Sequence, residues 1–120
     1  MNNNHILIID RDEAFVRATE TYFGQLGIDV ISTEDGVDGY RLVTETQPAM
    51  VMLDTVQTNL DGFQVCKLLK MDDRFENIPV VFVSSNDMQE DVMKAEQAGC
   101  DLFLRKPIVL DQLAEELINL

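Results

Sequence analysis

"ILIIDRDEAF", residues 6–15, decides how the rest of the chain is read. Four consecutive apolar residues run straight into a cluster of charges at Asp10, Arg11 and Asp12. A short, unbroken apolar run bounded by polar residues suits a strand buried on both faces, and such strands belong to parallel sheets. The same signature returns at "IDVIS" (28–32), "AMVML" (49–53), "VVFV" (80–83) and "LFL" (102–104). "IDVIS" is the most polar and interrupted of the five, which puts it at an edge.

Between these runs the spacing turns helical. Phe15, Ala18, Tyr22 and Leu26 form one stripe, closed by Gly27. Val65, Leu68 and Leu69 form a second, with Asp61 as its N-cap. Met88, Val92 and Ala95 form a third, ended by Gly99, and Leu110, Leu113, Ala114 and Leu117 a fourth, capped by Asp111 or the residue before it. Segment 36–46 is the weakest helix, because Gly36 and Gly39 both oppose it. Met71, Met88 and Met93 read as packing, and His5 as the residue leading into the first strand. Strand–helix alternation repeated five times in 120 residues predicts one domain, 1–120. Its expected class is α/β, a flavodoxin-like doubly wound parallel sheet of five strands in order 2-1-3-4-5 with about five helices.

Composition narrows the function. A net charge of −13 and a pI near 4.1 oppose direct binding of nucleic acid or anionic lipid, both of which need a basic face. A basic partner or a divalent cation fits better. No apolar run is long enough to span a membrane, and "MNNNHIL" lacks the pattern of a secretory signal. Cys66 and Cys100 lie outside any metal-binding spacing and are expected to be reduced thiols, which with the other features predicts a cytoplasmic location.

In doubly wound sheets the ligand site lies outside the carboxyl ends of the strands. Asp10 follows the first run, Asp54 the third, Ser84 and Ser85 the fourth, and Lys106 the fifth after Arg105. Singly these are a turn carboxylate, a capping serine and a surface lysine. Two carboxylates, a hydroxyl and an ammonium on one rim can instead share phosphoryl transfer to a carboxylate. The aspartate attacks phosphorus, while the lysine, the hydroxyl and normally Mg2+ hold the charge on the transferring oxygens.

With those residues in place, the chain resembles a bacterial response-regulator receiver domain from end to end. "LDTVQTNLDGFQVCKLLK" is similar to the family's phosphoacceptor segment, "IPVVFVSS" to its switch segment, and "AGCDLFLRKPI" to the segment with its Lys-Pro pair. The resemblance implies Asp54 as phosphoacceptor, Lys106 as phosphate partner and Ser84 as switch hydroxyl, with Phe103 as the aromatic that follows the switch. It implies an Mg2+ held by Asp10, Asp54 and the backbone carbonyl of Val56, and a cis peptide between Lys106 and Pro107. It further implies a histidine kinase or phosphotransfer protein as phosphodonor, and slow hydrolysis of the acyl phosphate by the domain itself. An output domain or partner protein would dock on the face of the fourth helix, fifth strand and last helix, roughly residues 87–118.

Three positions depart from the family pattern. Arg11 stands where the second of two adjacent acids is usual, Thr58 where proline is common, and Phe103 has no hydroxyl to anchor its rotamer. If the Arg11 guanidinium points inward, it opposes a divalent ion by about 6–7 kcal/mol at ~5 Å and an effective dielectric of ~20. The expectation is therefore a site that binds Mg2+ more weakly than its relatives but still accepts phosphate. Arg11 also supports an alternative, a pseudo-receiver that binds partners without phosphorylation. A more remote alternative is a haloacid-dehalogenase-like phosphatase built on "IIDRDEA", with Asp10 as nucleophile and Asp12 as general acid; it lacks that group's distal paired aspartates. FMN binding suits the fold but has no supporting residue.

Overall fold

The computed structural model describes residues 5–85 and 88–120. Five strands alternate with five helices: β1 (Ile6–Ile9), α1 (Glu13–Gln25), β2 (Val30–Thr33), α2 (Gly36–Thr46), β3 (Met50–Leu53), α3 (Gly62–Lys70), β4 (Val80–Ser84), α4 (Gln89–Gln97), β5 (Leu102–Arg105) and α5 (Leu110–Ile118). All strand pairs are parallel, in the order β2-β1-β3-β4-β5. The continuous apolar runs are buried as their composition requires: β1 and β4 are buried at every residue, while the edge strands β2 and β5 are only half-buried or exposed.

Alternation along the strands splits the core into two layers. Leu7, Ile9, Val51, Leu53, Val80 and Phe82 face Val43, Val65, Leu69 and Ala95 of α2, α3 and α4. Ile6, Ile8, Met52, Val81 and Val83 face Val16 and Phe23 of α1 and Leu113 of α5. Among the described residues no helix is long and apolar enough to cross a membrane.

Several helix faces differ from the sequence expectation. The inward stripe of α1 is Val16, Thr19 and Phe23; Ala18 and Leu26 are exposed. Thr19 can lie inward because its hydroxyl donates to Phe15 O at 2.7 Å, which hides its polarity. In α3, Cys66 replaces Leu68 on the buried side. The N-cap of α5 is Val109, not Asp111 or Leu110; valine has no polar atom to cap with, and the Asp111 carboxylate accepts from Tyr22 Oη. Met71, Met88 and Met93 are 72%, 63% and 50% exposed, so they are surface rather than packing.

The glycines of α2 mark close approach. A Cβ at Gly36 would fall 1.9 Å from the Leu60 carbonyl oxygen, so the helix begins where only glycine fits, with Asp35 capping it through Val37 N and Asp38 N. Asp61 caps α3 in a reciprocal capping box with Gln64, as its place before the apolar stripe predicts. His5 leads into β1 with Nε2 2.9 Å from Thr46 Oγ1.

Candidate functional site

The site is assembled by strand ends. Backbone bonds tie neighbouring ends together, Asp54 N to Ile9 O at 3.1 Å and Lys106 N to Ser84 O at 2.9 Å, so residues that follow different strands share one rim. The Lys106–Pro107 peptide is cis. Lys106 Nζ lies 2.8 Å from Asp10 Oδ2, 3.3 Å from Asp12 Oδ2 and 3.4 Å from Asp54 Oδ2. It also sits over the Phe15 ring, 4.6 Å from the centroid. One ammonium thus gathers three carboxylates.

Each acid is held differently. Asp10 is only 5% exposed, and its Oδ1 accepts from Asp12 N at 2.8 Å. Burial pushes its carboxyl above the usual range, partly offset by the Lys106 hydrogen bond and the Asp12 N–H. That local bond turns the chain. Asp12 then caps α1 through Phe15 N and turns its other oxygen to Lys106. The Phe15 N–H, with Lys106 behind it, holds the Asp12 carboxyl below its usual value. Burial alone would pull Lys106 down; hydrogen bonding and charge from Asp10, followed by Asp54 and Asp12, more than offset it, and the ammonium stands raised.

The two oxygens of Asp54 are held unequally. Its Oδ1 accepts from Thr55 N at 2.6 Å, from Ser84 Oγ at 2.8 Å and from Thr55 Oγ1 at 3.4 Å. The Ser84 and Thr55 hydroxyls lie 3.1 Å apart, both buried. Asp54 Oδ2 is turned toward Lys106. Behind Asp54 the packing is tight, since a Cβ at Gly62 would come within 2.0 Å of the Asp54 carbonyl oxygen. Phe103 is half-buried and stacks on Phe82 with centroids 5.8 Å apart. Val56, whose carbonyl the sequence nominates as a metal donor, is 46% exposed in the β3–α3 loop.

Arg11 does not enter this cluster. It is exposed and lines a hollow with Asp10, Glu13, Ser32, Thr33 and Glu34, and no hydrogen bond or ion pair joins it to the rim carboxylates among the described residues. Of the two arrangements open to Arg11, pairing inward or extending to solvent, the structure has the outward one. The cation inside the ring of acids is Lys106.

A family model described as "Response regulator receiver domain" matches residues 6–118. The chain belongs to that family. PilG of Pseudomonas aeruginosa is 33% identical over 108 residues, covering 90% of this chain and 80% of PilG. A response-regulator structure from Chloroflexus aurantiacus superposes with a TM-score of 0.91 at 19% identity, covering 98% of this chain and 97% of that one. The receiver domain of the sensor histidine kinase PA1611 of P. aeruginosa, solved with a magnesium ion in its active-site cleft, gives 0.88 at 21% identity, covering 98% and 97%. At such identities the two structures speak for the fold. With the family established, the dehalogenase-like reading of Asp10 and Asp12 gives way.

The receiver rim brings together Asp10, Asp54, Ser84 and Lys106, as the sequence predicts. It also contains residues to which the sequence reading gave no receiver role: Asp12, Thr55, Phe15 and Gln57. Asp12 was detectable in principle, as an acid two residues from Asp10 and at a helix start. Thr55 and Gln57 carry no such signal, because their contacts depend on how the loop folds back.

Proposed function

We propose that this receiver domain accepts a phosphoryl group on Asp54 from a histidine kinase or phosphotransfer protein and later hydrolyses the acyl phosphate itself. The observation that carries the reading is the asymmetry of the Asp54 carboxylate. Oδ1 is engaged by the Thr55 N–H and the Ser84 hydroxyl, while Oδ2 faces the Lys106 ammonium. The less tightly held oxygen, Oδ2, attacks phosphorus in line. The O–P bond forms as the P–N bond to the donor imidazole breaks, and the imidazole nitrogen leaves with the electron pair and takes up a proton. Lys106 and Ser84 are placed to meet the oxygens of the transferred group. In the reverse half of the cycle, water attacks phosphorus and the Asp54 carboxylate leaves.

Receiver domains of this family bind Mg2+, and the donor set here has the right chemistry for a hard cation. Three carboxylates face a single ammonium, an excess of two negative charges that one divalent ion would neutralise. Among the described residues no three acids are grouped as a ready-made metal cluster, which fits their present spacing around Lys106 rather than around an ion. Asp10, Asp54 and the Val56 carbonyl would hold the ion, with Asp12 as a further candidate. When bound it would offset charge on the transferring oxygens.

Output is proposed to run through the face of α4, β5 and α5, roughly 87–118, of which Asp87 lies outside the described residues. Met88, Met93 and Val109, each at least half exposed, supply apolar surface in that stretch. Ser84 drawn to a phosphoryl oxygen would free space for Phe103 and bias that surface. The whole of 1–120 would act as one receiver domain.

Incubation with a small-molecule phosphodonor, followed by intact mass and base or hydroxylamine lability, tests the acceptor. Wild type should gain one labile phosphoryl group and Asp54→Asn none; label that persists in the variant would move the nucleophile elsewhere. Amide shifts on adding beryllofluoride should extend from the rim to Phe103 if the switch operates, and shifts confined to the rim would break the coupling.

A further inference from the structure

Gln57 is a buried polar side chain near the rim that the chemistry above does not use. It is 8% exposed and lies in the β3–α3 loop, directly after Val56. Its Nε2 donates to two carbonyls, Ile9 O at 2.8 Å and Asp54 O at 2.7 Å. Ile9 is the residue before Asp10. A single amide therefore spans the end of the strand that presents one acid, the backbone of the other acid, and the loop residue beside the nominated metal carbonyl.

The other end of the same amide argues against a role in folding alone. Gln57 Oε1 is buried with no hydrogen-bond partner among the described residues. A half-satisfied buried amide costs stability, whereas an apolar side chain of similar volume avoids that cost. Ile9 O would also keep a donor without Gln57, because Asp54 N already reaches it. Methionine at this place would fill the volume without a buried unpaired Oε1, at the cost of the one donation to Asp54 O. What methionine cannot do is fix the distance between two strand ends and pin the loop between them.

We infer that Gln57 is a positioning residue for the divalent-cation site, holding Asp10, Asp54 and the Val56 carbonyl at their mutual spacing through the Ile9 and Asp54 carbonyls. This rests on the reading of the rim given under Proposed function. Groups that orient ligands without touching the ion affect its affinity strongly, by about tenfold or more when removed.

The test compares Mg2+ titrations of wild type, Gln57→Met and Gln57→Asn, read by amide shifts, with thermal melting in the absence of metal as the control. Methionine keeps the volume and loses both donors; asparagine keeps the amide but is too short to span both carbonyls. Positioning predicts that both variants lose affinity by about tenfold while Gln57→Met melts close to wild type. Wild-type affinity in a folded Gln57→Met overturns the inference, because packing alone would then suffice. Should the methionine variant fail to fold, the asparagine variant must show the same loss, and unchanged affinity there overturns it equally. The underlying reading is checked separately by phosphoryl labelling. Label at Asp54 in a wild type that binds no Mg2+ overturns the role of Gln57 and leaves the acceptor standing, whereas absence of label overturns the acceptor.

Discussion

Replacing Arg11 by glutamine measures how far a misplaced charge reaches. An inward guanidinium would oppose Mg2+ by several kcal/mol, and the variant would then bind the ion many orders of magnitude more tightly. The structure instead has Arg11 exposed, lining a hollow with Asp10, Glu13 and Glu34 but with no hydrogen bond or ion pair to the rim acids among the described residues. For a long side chain directed away from the site, a spacing of about 10 Å through water gives about 0.8 kcal/mol between a divalent ion and one charge. At physiological ionic strength, a Debye length of about 8 Å reduces this to about 0.2 kcal/mol. Arg11→Gln should therefore tighten Mg2+ binding less than about twofold in 0.15 M salt, with a larger gain, about threefold, near 0.01 M. Calorimetry or amide shifts across a salt series would read it. A gain of tenfold or more that persists in high salt would place the guanidinium inside the site and refute the long-range account. Arg11→Asp is a separate question, because a new carboxylate could ligate the ion directly.

Other perturbations follow from the same contacts. Lys106→Met strands Asp10, 5% exposed, without its cation, and should cost about 3–5 kcal/mol in urea unfolding without metal. Burial already raises the Asp10 carboxyl above its unfolded value, so its folded state gains stability as pH falls; the deficit in the variant should shrink toward pH 4, and a pH-independent deficit would point to lost packing instead. Lys70 Nζ bonds Glu76 O, Ile78 O and Asp101 Oδ2, and that carboxylate also accepts from Val80 N; Lys70→Met should cost about 1–3 kcal/mol, with no change in Asp54 labelling. Burial pushes the Cys66 thiol up to about 12 and Cys100 to about 11, so a disulfide reagent at pH 8 should modify both far more slowly in native than in unfolded protein. Fast native labelling would mean that the α3 side of the sheet opens readily.

The sequence was legible where a physical requirement acts on consecutive residues. Strands buried on both faces need unbroken apolar runs, and "ILII" and "VVFV" could be read as little else. The placement of the strand-end residues was legible for the same reason, because the residue after each run is delivered to one rim. Legibility failed where a polar residue hides its polarity locally. Thr19 turns its hydroxyl back onto its own helix and joins the core, so a count of apolar residues chose Ala18 in its place. It failed again at α2, where propensity treats Gly36 as an obstacle to a helix that in fact starts there because Leu60 leaves no room for a side chain. Arg11 shows the third kind of failure, in which identity is known and direction is not. Asp10 Oδ1 captures Asp12 N, and this turn carries the intervening side chain outward while returning the next acid to Lys106. The acid missing at Arg11 is thus matched by one a residue later. A pattern that compares positions one by one records a loss of charge, whereas the folded rim still faces Lys106 with three carboxylates. The chemistry of this rim depends on which side chains the turn returns to it, and that depends on a hydrogen bond between residues two apart.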